Sequence, residues 1–424
     1  MPRYVGAAIH TPQVSKFDGK GYVMMNILQK VPGLSFVVGD EEMLALMQDA
    51  KTLVPFSDEA IRFLDALSQI LFKKGRAYSD VVTFAFWCRK GSLMREKKKY
   101  ETGELRFGRG ITFHSTPSNV AVNFAFSFAA GLLAGNPNVV RLPAKAFEQV
   151  DVISWAVREV LAAQPEMRSY VVFVKYGLIQ EFSDYFSAIC MNRIVWGGDM
   201  TIALMRKSPL PPRAVEVTFA DRYSLAVFKA ESILALDEAG MKTLARNFWN
   251  DTYFTDQNAC TSPRLIAWVG EGKGEAKAKF WSAVHEVVKI EYAMQPVQAV
   301  GKLAAFYRAA ASVKGLRLVH VNDNLITRIQ VETFTTDLMD WKYNSGFFYE
   351  LDAGSLDEVF SPTSVKCQTV TQFGLTKDEI ELALLSAHPG GIDRIVPVGA
   401  SMNFALIWDG YDLIRTLSRV VSMY

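Results

Sequence analysis

The sequence predicts an α/β protein built on parallel sheets, and three observations lead there. Short apolar runs recur at GITFH (Gly110–His114), VVRL (Val139–Leu142), YVVFV (Tyr170–Val174) and RIVW (Arg193–Trp196). A stretch of helical periodicity separates each run from the next, and such alternation belongs to a parallel sheet covered by helices on both faces. The pattern resumes beyond Asp221, and 424 residues, half of them hydrophobic, suffice for two units with cores of their own.

The first hundred residues read as helical. In SDEAIRFLDALSQILF, Ser57 is the expected N-cap, acids fill the first turn, and apolar residues recur at helical spacing. A second helix starts at Ser79–Asp80. GITFH then runs into TPSN, where Ser118 or Asn119 starts an apolar helix that GNPN (Gly135–Asn138) ends. A helix over Phe147–Ala163 leads to YVVFV, and another leads to RIVW. WGGD (Trp196–Asp199) opens a helix over Met200–Arg206 with Asp199 as its N-cap. PLPPR (Pro209–Arg213) links to strands at Ala214–Phe219 and Ser224–Phe228. The second unit holds helices around Ser232–Trp249, Glu275–Tyr292 and Pro296–Val313, then the strand LRLVHV (Leu316–Val321). WDGYDLIRTLSRVV reads as a last helix with Asp409 as its N-cap.

Composition excludes several function classes. A net charge of +2 with interspersed signs lacks the basic field of a nucleic-acid binder. The basic cluster REKKKY (Arg95–Tyr100) reads as a solvated helix end. Four dispersed cysteines without a CxxC pair argue against a disulfide framework, and five histidines without HxxxH spacing argue against zinc. The apolar run Val120–Ala134 is shorter than the roughly 20 residues a bilayer requires. MPRYVGAAIHTPQ lacks a secretory apolar core. The expectation is a cytoplasmic protein in a reducing compartment, not integral to a membrane.

TDQNACTSPR (Thr255–Arg264) surrounds Cys260 with small and polar residues, and Pro263 closes the segment before an apolar run. A residue before proline is pushed toward extended backbone, which places Cys260 on an ordered loop entering a strand. A thiol so placed is either a nucleophile or a small buried hydrophobe. Gly197 and Gly198 sit between a buried strand and a helix, a turn that suits a pyrophosphate although it is not the GxGxxG fingerprint. Arg141 closes a strand where open α/β sheets bind ligands; a surface ion pair is its other reading. Cys88, Cys190 and Cys367 read as structural, and His114 as a satisfied core or rim histidine.

These pieces resemble the aldehyde dehydrogenase superfamily, and within it the LuxC-like acyl-CoA reductases. The markers stand in family order: HSTPSNVAVNFAFSFAAGLLAGNPNVVRLPAK (His114–Lys145), VWGGD (Val195–Asp199), RYSLAVF (Arg222–Phe228), DQNACTSPR (Asp256–Arg264), CQTVTQFG (Cys367–Gly374) and RIVPVGASMNFALIWDG (Arg394–Gly410). The resemblance implies an aldehyde-dehydrogenase-like fold of two Rossmann-type domains with a cleft between them. Residues 1–220 would bind the dinucleotide, 221–390 would carry the nucleophile, and 391–424 would pack back near the cleft. It implies Cys260 as nucleophile, and Asn119 as the amide that forms the oxyanion hole with the cysteine's own N–H. It sets Arg141 at the adenosine ribose or its 2′-phosphate, and Trp196, Gly197 and Gly198 along the cofactor. The implied cofactor is NADPH, with NADH the alternative. The implied substrate is a fatty acyl-CoA or acyl carrier protein, reduced to an aldehyde through an acyl-cysteine. Assembly stays open between a homo-oligomer and complexes with acyl-transfer enzymes.

One departure from the superfamily is informative. The glutamate that activates water in hydrolytic members has no counterpart in VTFADRYS (Val217–Ser224), and Glu216 lies upstream, where a shift by one residue turns a strand side chain to the other face. A hydrolytic aldehyde dehydrogenase and a non-catalytic partner subunit are the competing readings.

Overall fold

The computed structural model describes residues 31–117, 120–319 and 323–424. The short apolar runs GITFH, VVRL, YVVFV and RIVW each contribute a strand. From the first half come β1 (Ser35–Val38), β2 (Leu105–Gly108), β3 (Thr112–Ser115), β4 (Asn138–Arg141), β5 (Val171–Lys175), β6 (Asn192–Trp196) and β7 (Val215–Phe219). All but β2 form one sheet in the order β1-β5-β4-β3-β6-β7, parallel except for the edge strand β1. From the second half come β8 (Tyr223–Lys229), β9 (Pro263–Val269), β10 (Arg317–Val319), β11 (Thr327–Val331), β12 (Phe347–Asp352), β13 (Cys367–Phe373) and β14 (Arg394–Pro397). Their order is β10-β11-β12-β9-β8-β13-β14, again parallel except at the edge strand β10. This is the α/β architecture that the strand–helix alternation predicts.

The chain crosses from one sheet to the other through only Ala220, Asp221 and Arg222. β7 ends at the crossing and β8 begins there. The C-terminal edge of the first sheet therefore faces the N-terminal edge of the second, and a cleft opens between them.

Local chemistry explains the helices. The Ser57 hydroxyl accepts from the Ala60 amide (3.3 Å) and caps the helix Asp58–Lys74. The helix Asn123–Leu133 is buried on most sides, and Phe124 and Phe128 meet Phe173 of β5 edge-on, with centroids 5.8 and 5.2 Å apart. Gly135 ends that helix region at φ +90°, a backbone conformation that favours glycine. His114 is a satisfied core residue: its Nδ1 meets Ser127 Oγ at 2.8 Å and its Nε2 meets Asn138 Oδ1 at 2.9 Å. Burial pulls its pKa down to about 4, so the ring is neutral at physiological pH. REKKKY forms the end of the helix Lys90–Lys99. No helix among the described residues is long and apolar enough to cross a membrane.

Three local expectations are corrected. The helix after WGGD spans Asp199–Met205 and Gly198 occupies the cap position, so Asp199 is its first residue rather than its N-cap. The segment Ser232–Trp249 holds two helices, Ala230–Leu234 and Glu238–Asp251, because Asp237 caps the second by accepting from the Gly240 amide (2.8 Å). The C-terminal segment is not one helix. β15 (Ile407–Trp408) and β16 (Tyr411–Asp412) form a hairpin whose turn, Asp409–Gly410, has φ of +49° and +74°. Positive φ at both central residues is what an Asp-Gly hairpin turn provides. Asp412, not Asp409, caps the short helix Leu413–Leu417, and β17 (Ser418–Val421) then pairs antiparallel with β2.

The second sheet carries a buried charge. Glu350 of β12 is fully buried and accepts from Trp268 Nε1 (3.1 Å), Trp281 Nε1 (2.7 Å) and Arg328 Nε (2.7 Å). Removing one partner of such a pair leaves a charge uncompensated in the interior. Glu350→Ala is expected to destabilise the chain by about 3–5 kcal/mol, read by urea unfolding. A loss below about 1 kcal/mol would show the carboxylate to be dispensable.

Candidate active site

The cleft between the sheets has a volume of about 1010 Å³. Cys260, Arg141, Trp196, Gly197 and Gly198 all line it, although they come from opposite halves of the chain. Asn119 lies outside the described residues; its described neighbours Pro117 and Val120 line the same cleft.

The loop that carries Cys260 is held from several sides. Asp256 and Gln257 adopt left-handed backbone, φ +50° and +55°. Gln257 is fully buried, and its carboxamide oxygen accepts from the Gly346 (2.7 Å) and Phe347 (3.0 Å) amides. Its Nε2 donates to the carbonyls of Pro263 (3.1 Å) and Phe347 (3.3 Å). Arg264 donates to Asn344 Oδ1 (2.7 Å) and to the carbonyls of Tyr343 and Gln257. The Cys260 carbonyl accepts from Ser224 Oγ (2.7 Å), and that hydroxyl in turn accepts from the Thr369 amide (3.3 Å). The cysteine is thus tied to the first residues of β8 and β13, and β9 begins three residues beyond it at Pro263.

Cys260 is half-buried, whereas Cys88, Cys190 and Cys367 are fully buried. Burial pushes the Cys260 thiol up to about 11, and the Asp409 carboxylate adds to the rise. The Gln368 side chain and the Arg222 charge act in the opposite direction. Asp409 is itself buried, and desolvation raises its pKa. Its Oδ1 accepts from Gln368 Nε2, and its Oδ2 lies 3.5 Å from Arg222 Nε.

The carboxylates that line the cleft are Asp80, Asp221 and Asp409; no glutamate and no histidine lines it among the described residues. Glu216 is engaged elsewhere, accepting from Arg193 Nε (2.9 Å) and Arg206 Nε (2.7 Å). Opposite the cysteine, Gly198 leaves open space where a Cβ would stand, whereas a Cβ on Gly197 would lie 2.8 Å from Thr201. The buried Trp196 ring stacks on Phe219 with centroids 3.7 Å apart, and its indole N–H donates to Ser127 Oγ (3.0 Å). The Arg141 guanidinium lies over the Tyr176 ring at 4.4 Å and donates to the carbonyls of Tyr176 (3.3 Å) and Gly177 (2.9 Å). Arg394 donates to the carbonyls of Ala400, Ser401 and Asn403, holding a loop whose Met402, Asn403 and Phe404 line the cleft.

Arg222, Gln368 and Asp409 are functional candidates that the sequence reading passed over. All three lie inside the recognised motifs, but their convergence on Cys260 depends on the pairing of β8 with β13 and on the C-terminal hairpin.

The architecture is that of an aldehyde dehydrogenase. Among solved structures, a salicylaldehyde dehydrogenase from Pseudomonas putida G7 matches with TM-score 0.62 and 12% identity, over 90% of this chain and 89% of that one. A NAD-dependent benzaldehyde dehydrogenase from Corynebacterium glutamicum matches with TM-score 0.59 and 11% identity, over 92% and 94%. Proline utilization A from Corynebacterium freiburgense matches with TM-score 0.62 and 12% identity over 91% of this chain, which spans only 43% of that longer protein. No curated protein sequence matches significantly. The family model for acyl-CoA reductase (LuxC) matches residues 40–298. The chain therefore belongs to the LuxC acyl-CoA reductase family and is an oxidoreductase.

The thiol environment makes a prediction of its own. Native protein treated with iodoacetamide is expected to be modified at Cys260, with Cys88, Cys190 and Cys367 reacting only after unfolding. Because the thiol is protonated at neutral pH, the rate should climb about tenfold per unit between about pH 7 and 10. Peptide mass mapping reads both, and equal labelling of the four cysteines in the native state would contradict the burial pattern.

Proposed function

We propose that this chain reduces an acyl thioester, an acyl-CoA or acyl carrier protein, to an aldehyde through an acyl group held on Cys260. One observation carries the reading. The half-buried thiol lies in a cleft with the glycine turn, and among the described residues no glutamate or histidine lines it to activate water. The absence of these two residue types supports an acyl-cysteine that awaits reduction rather than water.

In the first half-reaction, the Cys260 sulfur bonds to the acyl carbon as the bond to the carrier sulfur breaks, and the carrier departs as a thiol with the proton that Cys260 gives up. Negative charge develops on the acyl oxygen. The Asn119 amide and the Cys260 N–H are the proposed donors; one such donor is worth about 3 kcal/mol. A nicotinamide cofactor, when bound, supplies the hydride that reduces the acyl carbon. Cys260 then leaves as a thiolate and the aldehyde is released.

The residues on the first sheet's edge fit such a cofactor. Gly198 leaves its backbone open to the cleft, and Arg141 puts a cation at the end of β4. Arg141, Trp196, Gly197 and Gly198 would hold it. The relative from Corynebacterium glutamicum is NAD-dependent, which supports the cofactor class, and Arg141 favours NADPH over NADH. A fatty acyl group suits the wall formed by Phe126, Phe404 and Trp408, where Phe126 and Phe404 stack with centroids 4.7 Å apart. A reducing cytoplasm keeps the thiol free.

Intact mass spectrometry with a panel of acyl-CoA substrates tests this. Wild type should gain an acyl adduct that NADPH discharges as aldehyde, and Cys260→Ala should gain none. An adduct that survives in Cys260→Ala, or discharge as free acid, sinks the reading. Asn119→Ala is expected to slow acylation about 100-fold while leaving the adduct site unchanged.

A further inference from the structure

Basic residues are spread along the chain, but the fold gathers a set of them on one face. Residues 90–109 and 411–424 carry nine basic and four acidic side chains, whereas the whole chain nets only +2. The two segments meet where β17 pairs antiparallel with β2, Arg419 opposite Phe107 and Val421 opposite Leu105. Arg106 donates to Ser418 Oγ (2.9 Å) and to the Arg415 carbonyl (2.8 Å), and Arg109 donates to the Thr416 carbonyl (3.0 Å). The Arg415 guanidinium lies over the Tyr100 ring at 5.4 Å, which joins the basic end of the helix Lys90–Lys99 to the same face. Arg213 stands at this edge as well. Two residues after it, the Val215 N–H donates to the Met191 carbonyl, and the Met191 N–H donates to that of Ile111, two residues beyond Arg109.

Little cancels these charges. Lys99, Arg106 and Arg415 pair with Glu96, Glu104 and Asp412. Arg109, Arg213 and Arg419 form no ion pair among the described residues. Burial, and then the like charges of Arg106, Arg213 and Arg419, draw the Arg109 pKa down. Apolar side chains stand among the arginines. Side chains alternate along a strand, so Leu105 and Phe107 share one face of the ribbon with Arg419 and Val421. The Arg419 guanidinium lies over the Phe107 ring at 5.4 Å, and Leu105 and Val420 are exposed.

The place of this face in the fold narrows its partner. β3 runs from Thr112, close to Arg109, to Ser115, which lines the cleft. The basic face is therefore at the opposite end of the first sheet from the cleft. An acyl carrier protein seated there would present its thioester at the wrong end of the sheet. A second copy docked about a twofold axis would set the arginines against themselves.

We propose that this face docks the chain on an anionic phospholipid surface, with the ribbon of β2 and β17 against the headgroups. The arginines and the helix-end lysines meet the lipid phosphates, and the apolar side chains enter the boundary beneath them. Docking is reversible, because a few charges and small apolar groups fall far short of a spanning helix. The cleft, at the far end of the sheet, stays open to solvent. Nothing in the docking depends on Cys260.

Co-sedimentation of the full chain with vesicles tests this. Wild type should bind vesicles of phosphatidylcholine mixed with phosphatidylglycerol at low salt. It should fail to bind phosphatidylcholine alone, and high salt should release it. Each neutralised cation should weaken binding about fivefold, so Arg213→Gln with Arg419→Gln should weaken it about 25-fold. Leu105→Ser should weaken it without changing the salt dependence, and Cys260→Ala should bind as wild type does. Equal binding to both vesicle types, no binding at low salt, or undiminished binding in the arginine double variant overturns the proposal. So does self-association that the same two substitutions abolish, which would make the face an interface between copies. Displacement from the vesicles by an equal charge of single-stranded oligonucleotide would assign the face to nucleic acid and overturn it too. If the double variant loses its cooperative thermal transition, the lipid and salt series of the wild type decides alone.

Discussion

The three-residue crossing from β7 to β8 governs the rest of the molecule. A parallel sheet presents all its C-terminal ends on one edge, and ligands bind beyond that edge. Because the crossing is short, the second sheet must begin where the first one ends. Loops at the C-terminal edge, with Arg141 and the glycine turn, then face the loops at the N-terminal edge, with Cys260. A longer linker would leave each edge free to face water. The two halves of the site need no direct contact in sequence, since the sheets deliver them to one place.

Within that cleft the charge pattern is selective. Hydrolysis of an acyl-enzyme needs a base to activate water, and the carboxylate nearest that role in sequence, Glu216, is consumed by Arg193 and Arg206. Its side chain follows the alternation of β7, on which one step in register exchanges faces. What remains near the sulfur is Asp409, which raises the thiol pKa, together with Gln368 and Arg222, which lower it. The balance leaves the thiol pKa raised, at about 11.

Much of this was legible in the sequence. The Ser57 cap, the strands β3 to β8 and the loop position of Cys260 follow from local patterns of apolar period, capping residues and proline. His114 was recognisable as a core residue. Other features were not, for physical reasons. Asp409–Gly410 is a hairpin signal, but the apolar residues after it also satisfy a helical period, and the helical reading prevailed. Asp199 reads as a cap because acids favour that position, yet Gly198 already supplies the extended backbone a cap requires. Gln368 lies inside the motif CQTVTQFG without any local signal that marks it out. The link from the Cys260 carbonyl through Ser224 to Thr369 depends on β13 pairing with β8, a contact between segments far apart in the chain that no local pattern encodes.

The C-terminal segment draws these threads together, because it touches both halves. β17 pairs with β2, ahead of the first sheet's parallel strands. The loop before the hairpin is held by Asp251, which accepts from the Gly399 (2.6 Å) and Ser401 (2.9 Å) amides, and by Arg394, whose guanidinium also lies over the Trp408 ring at 4.7 Å. Asp251 belongs to the helix Glu238–Asp251 and Arg394 to β14, both in the second half. The segment therefore bounds the cleft at one end, and its turn residue Asp409 meets Gln368 and Arg222. The last segment of the chain thus joins the two halves of the molecule on one side of the cleft, with Asp409 of its hairpin turn and Cys260 of the second half lining the same space.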